Sequence, residues 1–250
     1  MTFASYPSLR DRPVFVTGGA TGIGADIVRA FAGQGARVGF VDVQAEAGTL
    51  LAGQCPGSAF RTCDISDIPA LEAAIAALAQ QLGDFAVLVN NAANDTRADI
   101  DEITVESWDA SMAVNLRPHF FAARAVHRGM AARGGGSIVN LSSIAWRLGS
   151  AEMAHYNTAK AGIVGLTKSL ARAFGKDNIR VNCIEPGAVM TERQRRLWYP
   201  DQASVDSFVQ RQSLHHVLLG DEVARMALFL AAEDSRMISK QTFVVDGGIS

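Results

Sequence analysis

PVFVTGGATGIGADIVRAFAGQG, residues 13–35, changes its pattern twice in a short span. Pro13 to Thr17 is a continuous apolar run of strand length, Gly18 to Gly24 is a glycine-rich turn, and from Ala25 onward the apolar residues recur at helical spacing. A strand that feeds a helix through a glycine loop is the setting in which glycine spacing points to a dinucleotide site. Gly18, Gly22 and Gly24 let the backbone pass close to a pyrophosphate, and the N–H groups of the helix start, around Thr21 and Ile23, face the anion. Outside that setting a glycine trio says little, because any tight turn can use one.

The alternation continues toward the C-terminus. Arg37 to Val41 reads as a second strand ending at Asp42, and SAFRTC (58–63) as a third that runs to Asp64 and Ile65. Asp42 stands at about the separation from the glycine loop at which a carboxylate accepts hydrogen bonds from an adenosine ribose. Its charge repels a 2'-phosphate, and neither Thr21 nor Val43 offers a cation to receive one, so NAD is expected over NADP. Asp42 can also be read as a turn residue after a strand. A helix is expected from about Pro69 to Leu82, then a buried strand from Phe85 to Val89 ending in Asn90, Asn91, Ala92 and Ala93. Small and amide residues at a strand's carboxyl end suit a ligand crevice, and asparagines there also satisfy loop backbone.

Residues 104–133 read as two helices or one bent helix. Asparagine is a weak mid-helix residue and proline interrupts, so a break is expected near Asn115 and Pro118, freeing carbonyls that can hold a water. Further strands are expected at Ser137–Leu141, Arg180–Ile184 and QTFVV (241–245), with a helix from Asp221 to Ala232. Residues 188–216 show no strand and read as a long irregular substrate loop, with Arg193, Arg195 and Arg196 on a solvated face. With no repeat or linker, residues 1–250 are expected to form one domain: a Rossmann-type, doubly wound α/β fold on a parallel sheet.

SSIAWRLGSAEMAHYNTAK, residues 142–160, carries the chemistry. Tyr156 and Lys160 are four apart on a helix, so both project from one face. A phenol is a poor base at neutral pH, but an adjacent ammonium favours the phenolate. Ser143 follows the strand SIVNL, where a loop can fold its hydroxyl back over the tyrosine. By itself the Tyr–Lys pair can equally decorate a helix.

Composition narrows the classes. A net charge of -2, with 48% hydrophobic and 19% charged residues, provides no electrostatic case for nucleic acid or an acidic membrane. Cys55, Cys63 and Cys183 show no metal-ligand or disulfide spacing, so no metal is expected. MTFASYPSLRDRP lacks a signal-type apolar core and no segment is long and apolar enough to span a bilayer, which predicts a cytoplasmic protein.

Taken in order, these residues resemble the short-chain dehydrogenase/reductase family over essentially the whole chain. TGGATGIG matches its TGxxxGxG loop through Thr17, Gly18, Gly22 and Gly24; NNAA matches NNAG with Ala93 in place of glycine; Pro186, Gly187 and Thr191 fall on its PGxxxT element. The resemblance implies a strand order of 3-2-1-4-5-6-7 and a tetrad of Asn115, Ser143, Tyr156 and Lys160. In it Tyr156 is the base, Lys160 lowers its pKa and binds the nicotinamide ribose, Ser143 bonds the reacting oxygen and Asn115 holds a relay water. It also implies cofactor contacts at Gly18, Thr21, Gly22, Ile23, Gly24, Asp42, Asp64, Ile65, Asn91, Tyr156, Lys160, Pro186, Gly187, Val189 and Thr191, and a homotetramer.

YPSL (6–9), NDTR (94–97), the tryptophan of SSIAWRLG, and Trp198-Tyr199 resemble the aldose 1-dehydrogenases of that family more closely. That resemblance implies oxidation at C1 of a pentose or 6-deoxyhexose such as L-arabinose, D-xylose or L-fucose. Asn94, Ser143, Trp146, Tyr156 and Trp198 would then contact the sugar; the two tryptophans also suit a core or subunit contact. Rival readings are a polyol or secondary-alcohol dehydrogenase, a 3-oxoacyl thioester reductase, and an NADH-sensing regulator without catalysis.

Overall fold

β1 (Pro13–Thr17) is buried along its whole length, as expected of an apolar run covered on both faces. It is an inner strand of a seven-stranded sheet in a computed structural model that describes residues 4–250. Residues 1–3, part of the segment read for a signal peptide, lie outside the described residues. The other strands are β2 (Arg37–Asp42), β3 (Ala59–Thr62), β4 (Val87–Asn90), β5 (Gly136–Leu141), β6 (Ile179–Pro186) and β7 (Thr242–Val245). All pairings are parallel, and the order β3-β2-β1-β4-β5-β6-β7 is the one the resemblance implies.

The helices are α1 (Gly22–Gly33), α2 (Ala45–Gln54), α3 (Ile68–Leu82), α4 (Val105–Asn115), α5 (Arg117–Ala132), α6 (Ala145–Leu148), α7 (Ala154–Phe174), α8 (Glu192–Leu197), α9 (Gln202–Val209) and α10 (Gly220–Ala231). α1 and α10 pack together on one face of the sheet, while α3, α5 and α7 cover the other. α7 buries Ile163 and Leu170, each worth roughly 1.5–3 kcal/mol on leaving water. A buried amide chain fixes α7 to the sheet: Asn90 Nδ2 donates to Asn140 Oδ1 at 2.9 Å, and Asn140 Nδ2 to Thr167 Oγ1 at 3.0 Å.

Register decides where the site lies. Thr17 pairs with Asn90, and Asn90 with Asn140, so the loops carrying Gly18, Asn91 and Ser143 leave the sheet at one edge. The strand order reverses between β1 and β4, which places the crevice there.

Of the two forms expected for the segment 104–133, the chain takes the two helices, which break at Leu116, and one expectation changes. Residues 188–216 are not an irregular loop but contain α8 and α9, because Thr191 and Asp201 each accept an N–H bond from the third residue beyond them and Val205 and Val209 bury a small core with Met190.

Candidate active site

A cleft of ≈ 900 Å³ runs along the carboxyl ends of the central strands. The glycine loop forms one wall. Gly18 has φ +65° and a Cβ there would lie 2.7 Å from Ala92 Cα; a Cβ on Gly24 would overlap the Gly18 carbonyl oxygen. Asn91 locks this turn by donating to the Thr17 carbonyl at 3.1 Å and the Gly18 carbonyl at 2.8 Å, while Thr17 Oγ1 accepts the N–H groups of Asn91 and Ala92. Thr21, Gly22, Ile23 and Gly24 line the cleft at the start of α1.

Asp42 is 8% exposed at the end of β2 and also lines the cleft. One carboxylate oxygen accepts the Ala20 N–H and the other the Gln44 N–H, both at 3.0 Å. Each oxygen keeps a further acceptor site, which suits a ribose diol. Val43 beside it is exposed and uncharged. Asp64, Ile65, Pro186, Gly187, Val189 and Thr191 complete the wall. A close-approach glycine loop, an open helix start and an acceptor-only carboxylate fit a dinucleotide.

Ser143 and Tyr156 face the same cleft. Lys160 does not line it: the side chain is 1% exposed beneath Tyr156, with Nζ 5.4 Å from the ring centroid and donating to the Leu141 carbonyl at 2.9 Å. Ser142 Oγ donates to the Lys160 carbonyl at 2.7 Å, fixing that turn of α7 to the end of β5.

Burial lowers Lys160 to about 8. It raises the Tyr156 phenol, with the Asp95 charge adding to the rise and the Ser143 hydrogen bond opposing it. The expected lowering of the tyrosine by Lys160 is therefore not what this arrangement produces, because desolvation opposes both charged forms. His119, fully buried nearby, is lowered to about 3 by burial first and by Lys160 second, and stays neutral.

Asn115 ends α4 with its side chain committed elsewhere. Oδ1 accepts the Asn94 N–H at 2.8 Å, and Nδ2 donates to the Asn94 carbonyl at 3.0 Å and to Ser111 Oγ at 3.1 Å. It tethers the loop that leaves β4.

Both tryptophans have structural partners, one of the two readings that their positions left open. Trp146 is turned away from the cleft: its indole N–H is donated to Glu185 at 2.8 Å, and Glu185, completely buried, also accepts Arg147 Nε at 2.5 Å. The buried carboxylate needs donors, and Trp146 is one of them. Trp198 lines a smaller neighbouring cavity, donates to Asp95 at 3.3 Å and carries the Arg97 guanidinium 3.9 Å from its ring centroid. Asn94 does line the cleft, as do Asp95, Arg193, Gln194 and Tyr199, none of which the spacing singled out as site residues. Arg193 is not a purely solvated charge but pairs with Asp95. Only the presence of Asp95 inside NDTR hinted at this group. Among the described residues no cluster of three potential metal ligands occurs, and no helix is long and apolar enough to cross a membrane.

Known proteins with this pattern share both sequence and fold. The profile of the family described as "Enoyl-(Acyl carrier protein) reductase" matches residues 18–250. A Rhizobium meliloti protein named "Probable galactose dehydrogenase GalD" is 49% identical, with 98% of each chain covered. D-xylose 1-dehydrogenase of Caulobacter vibrioides is 40% identical over 99% of each. The crystal structure of a 3-oxoacyl-[acyl-carrier protein] reductase from Brucella melitensis superposes with a TM-score of 0.90 at 30% identity, over 100% of this chain and 97% of that one. With ordered motifs, strand order and full-length relatives in agreement, the chain belongs to the short-chain dehydrogenase/reductase family and is an oxidoreductase acting on CH–OH donors.

Proposed function

We propose that this protein oxidises the C1 hydroxyl of a cyclic aldose to the lactone with NAD. The observation that carries the reading is that Tyr156 and Ser143 open onto the same cleft as Asp42 and the glycine loop. Similarity to proteins named for galactose and D-xylose oxidation supports a sugar. A nicotinamide, when bound, supplies the hydride acceptor.

The residues of the chain divide the remaining work. Gly18 to Gly24 and Asp42 hold the dinucleotide, and the Asp42 charge favours NAD over NADP. Tyr156 takes the proton of the 1-hydroxyl, Ser143 bonds that oxygen, and Lys160 beneath supplies the positive charge that a phenolate needs against its burial. The ring oxygen of the sugar stabilises the charge that develops at C1 as hydride leaves. A relay water at Asn115 would rest on carbonyls at the Leu116 break, since the amide is occupied. Asn94 and the segment 188–216 read the rest of the ring. The same reading places one functional unit per chain, in a cytoplasmic homotetramer.

The test is NADH formation with a panel of galactose, L-arabinose, D-xylose, L-fucose, polyols and 3-hydroxyacyl thioesters, with the product identified by NMR. A lactone from an aldose is expected. Faster turnover of a polyol or a thioester would move the substrate and leave the tetrad and cofactor assignments standing.

A further inference from the structure

α8 is capped at its start by Thr191, but no buried side chain of its own holds it in place. It is six residues long, none of its side chains is buried, and a helix of that length does not hold itself in water. What holds it is a carboxylate on another loop. Asp95, its side chain 17% exposed, accepts Arg193 Nε at 3.0 Å on one oxygen, and Gln194 Nε2 at 2.6 Å and Trp198 Nε1 at 3.3 Å on the other. All three donors belong to α8 or the residue that ends it. Arg193 also reaches Asn94 Oδ1 at 3.2 Å. One of these four bonds, Arg193 to Asp95, joins opposite charges, and the other three each have one ionised partner, which makes them stronger than neutral pairs.

The other end of the connection is anchored in the tetrad. Asn115 grips both backbone polar atoms of Asn94, the residue before Asp95. A continuous chain of contacts therefore runs from Asn115 through Asn94 and Asp95 to α8, and Asp95, Arg193 and Gln194 all line the cleft.

We propose that Asp95 is a positioning residue that latches the segment 191–199 over the substrate end of the cleft, so that the sugar meets a preformed wall. The inference deepens the proposed function and takes its substrate from it, but the latch itself is a matter of geometry. Asp95 acts through α8; it exchanges no proton with substrate.

Two variants open the latch from opposite sides: Asp95→Asn removes the charge with little change of shape, and Arg193→Ala removes one donor. Hydrogen exchange of the full chain without ligand should speed up in residues 191–199 in both variants while protection of β1, β4 and β5 is kept. In steady state, KM for the aldose should rise about ten-fold with KM for NAD within about two-fold, since uniform binding of one ligand is lost. The double variant should cost little more than either single one, because both break the same contact. Unchanged exchange in 191–199, or additive effects of the two substitutions, would overturn the latch. An enzyme that turns over no aldose would fail the functional reading instead, with the exchange measurement still deciding the latch.

Discussion

Lys160 is a cation placed where the interior opposes its charge. In the folded chain it gives up its proton near 8, whereas an ordinary lysine holds it to 10.5. Between those values the unfolded chain binds more protons, so the native state gains stability as pH rises through the window; below it the full cost of burying the ammonium is present. Lys160→Met lacks this dependence. The stability difference, wild type minus variant, should therefore climb across the window in denaturant titrations, and a flat difference would refute the assignment. Tyr156→Phe keeps the ring packed and removes only the hydroxyl. Turnover should fall by about 10²–10⁴-fold with NAD affinity nearly unchanged, and activity within a few-fold of wild type would exclude the phenol as base. Asp42→Ala removes both a ribose acceptor and the repulsive charge, so KM for NAD should rise and discrimination against NADP shrink; a wild type that prefers NADP would overturn this reading of β2.

The junction of β6 and α6 is built around a buried carboxylate. Glu185 leaves β6 fully enclosed and takes donors from Trp146 and Arg147, whose guanidinium also lies 4.9 Å from the Trp146 ring centroid. This cluster sits directly after Ser143 and fixes the turn that presents its hydroxyl. Trp146→Phe leaves a buried acceptor short of one donor. It should cost about 1–3 kcal/mol in urea unfolding, and the sugar KM should stay within about two-fold because the indole is turned from the cleft. A large rise in KM with unchanged stability would return Trp146 to the substrate.

At the scale of the molecule, one helix is left incompletely covered. α4 spans eleven residues, yet only Asn115 is buried, although Val105, Trp108, Met112 and Val114 are apolar. Phe120 on α5 beside it is 41% exposed. Helices of this kind usually gain their cover from another element, and the element expected here is a second copy. A homotetramer by light scattering at micromolar concentration is the expected result, and a monomeric mass would count against it.

Much of the fold was legible because it is written in local period. The apolar run of β1, the glycine loop and the helical spacing after Ala25 are neighbours in sequence, as are Tyr156 and Lys160, and a chain's backbone geometry converts such spacing directly into shape. Asp42 at the end of β2 followed from the same count. The two readings of Trp146 stayed open in the sequence because its partner, Glu185, lies 39 residues away and becomes a neighbour only when β5 and β6 pair. Asp95 escaped notice for the same reason: Gln194 is 99 residues distant. The direction of the Tyr156 shift was equally out of reach, since it depends on how much water the surrounding elements exclude. Residue spacing by itself determined the element order, the glycine loop and the placement of tyrosine and lysine on one helix face; only the tertiary structure decided which charges are buried, which donors meet them and what lines the cleft, because burial and long-range contact are properties of packed elements and have no local period.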